Sequence, residues 1–168
     1  METWIIIVLY AIIGILFQII KNLDEKGSYV ECIISGIICG VLAGFLITEH
    51  RISTLILGGV IIGLLISGRL SNVGYYFGLG SVLAMILYYG TPPITLGFLL
   101  IIAGATLTDE FLAMAESGVI TNKISGLHPV INILLVAFLI FDIVPPLGVG
   151  AFIVSEVTYR LGAIVIEK

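Results

Sequence analysis

A chain of 168 residues, 60% hydrophobic and 11% charged, with a mean hydropathy of +1.25, cannot cover the surface of a soluble domain with charge. Lipid can solvate the remainder, so these proportions point to a polytopic membrane protein with no room for a separate soluble domain. The net charge of −4 comes with no basic cluster, which excludes a nucleic-acid-binding role.

Seven apolar segments follow in chain order, at residues 4–20, 29–48, 52–67, 73–89, 92–107, 129–144 and 146–166. They predict an all-α fold, a transmembrane bundle of about seven short, tightly connected helices in a single integral membrane domain over 1–168. The third, fifth and sixth are short. At 1.5 Å per residue, a run of about 16 residues reaches about 24 Å, less than a ~30 Å hydrocarbon core.

Met1-Glu2-Thr3-Trp4 precedes the first segment without a basic stretch or a small-residue cleavage site, so that segment is expected to stay. The second segment carries Gly36, Gly40 and Gly44, a double G-x-x-x-G, and the third carries Gly59 and Gly63. Gly74 and Gly78 continue the pattern in the fourth. Small residues four apart let two backbones approach closely, which predicts packing among segments two, three and four, or a homodimer face built from the same grooves. Cys32 and Cys39 share a helix face and read as small buried apolar residues, not as a disulfide or metal pair. Short links force neighbouring segments antiparallel. Two of these links carry Pro92-Pro93 and Pro145-Pro146, and proline suits the first turn of a helix.

Seven segments place Lys21, Lys26, Arg69, Lys123, Arg160 and Lys168 on one side and Arg51 alone on the other. The positive-inside rule then predicts a multi-pass protein of the cytoplasmic membrane, N-terminus outside and C-terminus in the cytoplasm.

Ionisable residues at membrane depth are functional candidates by default. Asp109 and Glu110 follow the fifth segment. The reading there is a cytoplasmic loop over 108–128 with a short interfacial helix capped by Thr108 or Asp109, the alternative being a cation or proton site. Glu156 lies within the seventh segment, four residues before Arg160, where the two could pair. Asp142 sits at the end of the sixth, and Asn132 within it is expected to bond across helices. Glu49, His50 and Arg51 form an ionisable cluster at the predicted outer face. Pro92-Pro93-Ile94-Thr95-Leu96-Gly97 and Pro145-Pro146-Leu147-Gly148 form a short repeat, each opening a Gly-containing segment that leads to acids. Paired, interrupted segments are a pointer to a transporter site.

Three functions fit. The first is a small transporter or an ion- or proton-translocating component, using Asp109, Glu110, Glu156 and Asp142. The second is a membrane-embedded metal-dependent hydrolase or lipid-modifying enzyme. Glu49-His50-Arg51 resembles the His-Arg stretch of bacterial inner-membrane metal-dependent hydrolases, a resemblance that implies further His and Asp ligands. Here Ser53-Thr54 follows instead, and His128 is the other histidine, predicted on the opposite face. The third is a structural subunit of a larger membrane complex. No nucleotide loop, CxxC pair or nucleophile elbow is present, so no cofactor or metal is expected and the reading leans away from an enzyme. The expected partners are the lipid bilayer and either a second copy of the chain or other membrane subunits.

Overall fold

A computed structural model describes residues 3–68, 70–115 and 129–166. All regular structure among them is helical: α1 (Thr3–Glu25), α2 (Tyr29–Glu49), α3 (Arg51–Ser67), α4 (Val73–Tyr89), α5 (Leu96–Ala115), α6 (Pro129–Ile140) and α7 (Pro146–Ile166). α1, α2, α5 and α7 are long and apolar enough to cross a membrane, whereas α3, α4 and α6 are shorter apolar helices. Large apolar side chains such as Val8, Leu83, Leu100, Ile133 and Ile164 stay exposed on the outside of the bundle. Lipid solvates such a surface and water does not. The chain is a helical membrane protein.

The helix ends follow local chemistry. Gly68 closes α3 in the left-handed region at φ 72°, where a residue without Cβ is unstrained. Asn72 opens α4, its Oδ1 accepting from the Tyr75 amide at 2.8 Å. Pro129 and Pro146 each begin a helix. Pro92 and Pro93 do not. Residues 91–95 are non-helical, and α5 starts at Leu96 and runs on to Ala115. The helix expected to begin at Thr108 or Asp109 is therefore a continuation of α5. The hydroxyls of Thr106 and Thr108 bond back to the carbonyls of Ile102 and Gly104 at 3.0 and 2.8 Å, so neither is free to cap a new helix. The rest of the expected 108–128 segment lies outside the described residues.

Packing does not follow chain order. The closest partners are α2 with α4, α3 with α5, and α1 with α7. α4, α2, α3 and α5 form one row in that order, and α1, α7 and α6 lie across it. α3 and α4 are consecutive, yet their backbones do not approach closely among the described residues. The glycines explain the pairing. A methyl group at Gly36 would collide with the Gly74 carbonyl, and one at Gly40 with that of Gly78. At Gly63 it would lie 2.6 Å from Thr106 Cβ and 2.7 Å from the Ala103 carbonyl oxygen. Gly14 packs in the same way on Ser155 and Thr158, whose hydroxyl donates to the Ala11 carbonyl at 3.1 Å. In each pair the residue numbers rise together, so each pair is parallel. The expected packing of segments two, three and four becomes α2 on α4 and α3 on α5, because a glycine stripe selects whichever helix can come closest.

Two hydrophobic cores result. One joins α1, α2 and α4 around Tyr10, Ile13, Cys39, Leu46 and Val82, with Leu57 of α3 and Ala151 of α7 at its edge. The other joins α3, α5, α6 and α7 around Ile56, Ile102, Leu135 and Phe152. Cys32 and Cys39 are both buried and free.

Candidate functional site

α6 is the unusual element. Its 12 residues span about 18 Å, roughly 60% of a ~30 Å hydrocarbon core. Its first turn lies beside Glu156, which sits at the midpoint of the 21-residue α7. α6 is thus a half-length helix whose N-terminus lies at the middle depth of its neighbour.

The first turn of any helix leaves amide groups without intrahelical partners, and the aligned peptide dipoles make that end positive. Pro129 has no N–H to satisfy. The next two amides are satisfied by one carboxylate. Val130 N donates to Asp109 Oδ1 at 2.8 Å, and Ile131 N to Asp109 Oδ2 at 2.9 Å. Asp109 is 4% exposed and reaches across from α5. It does for α6 what an N-cap residue does locally, but from about 20 residues upstream, and its negative charge faces the positive helix end. Charge-assisted bonds of this kind are about twice as strong as neutral ones.

Asn132 lies just inside the same turn. Its Nδ2 donates to Glu156 Oε2 at 2.7 Å, the expected bond across helices. Among the described residues, no ion pair within 4 Å joins Glu156 to Arg160. Arg160 follows one turn later on α7, and its Nε and Nη2 are buried without a hydrogen-bond partner. Asn132 Oδ1 is likewise buried without one. Glu110 is buried beside Asp109, at 6% exposure, and makes an interaction of its own. Two carboxylates from different helices therefore meet α6 within its first turn, with unused donors and an unused acceptor next to them.

The other acidic candidates lie elsewhere. Asp142 is exposed at the far end of α6 with φ 56°, the left-handed region. Its amide donates to the Leu139 carbonyl and that of Ile143 to the Phe138 carbonyl, at 3.1 and 2.8 Å. This is a Schellman-type stop with Asp where Gly is usual, so Asp142 terminates α6 and stands apart from Asp109 and Glu156. Glu49 is exposed at the end of α2. His50 and Arg51 line a cavity at the α2–α3 connection, at the opposite end of the bundle from Asp109. Burial holds the His50 imidazole below its ordinary value near 6.5, because desolvation disfavours its charged form. Among the described residues, no three His, Cys, Asp or Glu side chains come together as metal ligands. The packing glycines Gly36, Gly40, Gly44, Gly59 and Gly63 stand at helix contacts on α2 and α3, not at this polar group.

Sequence reasoning began the sixth segment at Pro129 but ran it on to Val144, so it missed that the helix is half-length, and it missed the buried donors of Arg160 that lack a hydrogen bond. The run of Pro129 followed by apolar residues up to Asp142 was the available signal for the first. Nothing local signals the second, because the burial of those donors depends on how α7 packs.

No family model, curated protein or solved structure matches this chain.

Proposed function

We propose that this protein is a small transporter or ion-translocating component linked to protons, in which α6 is the moving element. The observation that carries this reading is the half-length α6 with its positive N-terminus at mid-depth, held by Asp109 and tied through Asn132 to Glu156. Interrupted helices whose N-termini face anionic groups near the membrane midplane are the recurring device of secondary transporters. Membrane-level carboxylates are the recurring device of proton relays.

The sequence of events follows from the chemistry. With Asp109 ionised, both of its oxygens hold the first turn of α6. A proton on Asp109 removes the charge and converts one oxygen into a hydroxyl, which weakens both amide bonds. α6 can then shift against the apolar core it shares with α3, α5 and α7. Asn132 would carry that movement to Glu156, and the unpaired donors of Arg160 would meet an anion or a water at the opened site. The lysine and arginine distribution supports a multi-pass cell-membrane protein with the Asp109 end in the cytoplasm and the His50 end outside. The seven helices among the described residues make a narrow pathway, so the working unit would be an oligomer of this chain or a complex with other membrane subunits.

Purified protein in liposomes loaded with a pH-sensitive dye tests the reading. Proton flux above that of empty liposomes is expected after a pH jump, and Glu156→Gln should reduce it at least tenfold. Absence of flux in the wild type, or flux unchanged in Glu156→Gln, removes the proposal.

A further inference from the structure

The other end of the bundle holds a cavity of about 340 Å³ between the start of α3, the first turns of α5, and the α6–α7 connection. That volume lies at the lower end of the range of small-molecule sites, roughly 300–1,000 Å³. Its wall is divided by chemistry. Leu55, Phe98, Ile102 and Phe138 give it an apolar depth, and Phe98 and Phe138 meet edge to face at 5.5 Å. Arg51 gives its rim a cation, and His50 adds an imidazole that can donate a hydrogen bond. No carboxylate lines it among the described residues.

Three features of the rim favour an anion. Arg51 is exposed and has no ion-pair partner among the described residues. His50 Nδ1 is buried and makes no hydrogen bond. α3 begins at Arg51 with no side chain capping its N-terminus, so the positive end of a 17-residue helix opens at the same place. The rim is also fixed in position. The Thr54 hydroxyl lies 2.6 Å from the Ile47 carbonyl and 3.1 Å from that of His50, fastening the joint between α2 and α3.

We propose that this cavity binds a single-chain anionic amphiphile, a fatty carboxylate or an alkyl phosphate, with its head on His50 and Arg51 and its chain among Leu55, Phe98 and Phe138. An apolar depth alone would accept any lipid chain. The Arg51 cation, beside the uncapped start of α3, selects a chain with a negative head. The proposal stands apart from transport, since it concerns binding at the end remote from Asp109.

The test is photolabelling of the protein in phosphatidylcholine nanodiscs with a dodecanoate analogue carrying a terminal diazirine, followed by peptide mapping. Label is expected on the peptides containing Phe98 and Phe138. Dodecanoate and dodecyl phosphate should displace it, and dodecanol and inorganic phosphate should fail to do so at tenfold higher concentration. Arg51→Gln should weaken displacement by dodecanoate roughly tenfold, the value of one charge-assisted contact, and Arg51→Lys should retain most of it. Arg51 is exposed, so neither change disturbs the packed interior. Displacement by dodecanol as strong as by dodecanoate, wild-type displacement in Arg51→Gln, or label confined to other peptides would each overturn the proposal.

Discussion

Single residues here do work that their neighbours in sequence do not reveal. Asp109 follows two threonines in a helix, yet its partners are Val130 and Ile131 on another helix. Asp109→Ala should lower stability by about 1–2 kcal/mol, the usual value of a lost N-cap, and Asp109→Asn by less, since an amide keeps one acceptor. Thermal unfolding in detergent reads both. Asp142 predicts the opposite sign. A non-glycine residue at φ 56° is strained by roughly 1 kcal/mol, so Asp142→Gly should stabilise the protein by up to that amount. A loss of stability in that variant would show that its carboxylate has a partner. His50 gives a pH dependence. Its folded value lies below the unfolded one near 6.5, so the unfolded chain binds the proton more readily. Its contribution is intact above about 6.5 and is lost as pH falls through the lower folded value. His50→Gln should flatten that part of the stability profile.

The helices are matched by their glycines, and this sets which substitutions they tolerate. Gly40→Ala places a methyl group against the Gly78 carbonyl of α4 and should destabilise by about 1–3 kcal/mol, as overpacking does. Gly80→Ala, on α4 with open space around it, should be neutral or stabilising by up to about 1 kcal/mol. The difference between the two midpoints separates helix contact from helix propensity. The small-residue stripes were legible in the sequence, because G-x-x-x-G is a local pattern. Their partners were not, because a stripe on α2 says nothing about which helix fills it. The boundary of α5 misled for a related reason. A run of apolar residues ends where charge begins, but Asp109 and Glu110 stay inside the helix. Their burial depends on α6 and on contacts that no local window contains.

At the scale of the molecule, composition alone decided the class: a bundle of apolar helices with lipid-facing side chains outside. The orientation rests on where lysine and arginine fall, and accessibility of single cysteines to a membrane-impermeant reagent would read it. The candidate site was only half legible. Asp109 and Glu156 stood out as acids in an apolar chain. That both reach the first turn of a single half-length helix requires the fold, since 46 residues and two connections separate them. That the charge on Asp109 holds α6 in place is tested most directly by spin labels at Leu112 and Ile133, both exposed, on α5 and α6. With Cys32 and Cys39 replaced, electron paramagnetic resonance in nanodiscs reads the separation of the two helices. A longer or broader distance distribution is expected in Asp109→Asn at neutral pH, and the same change in the wild type on acidification. An identical distribution in all three conditions would contradict the account.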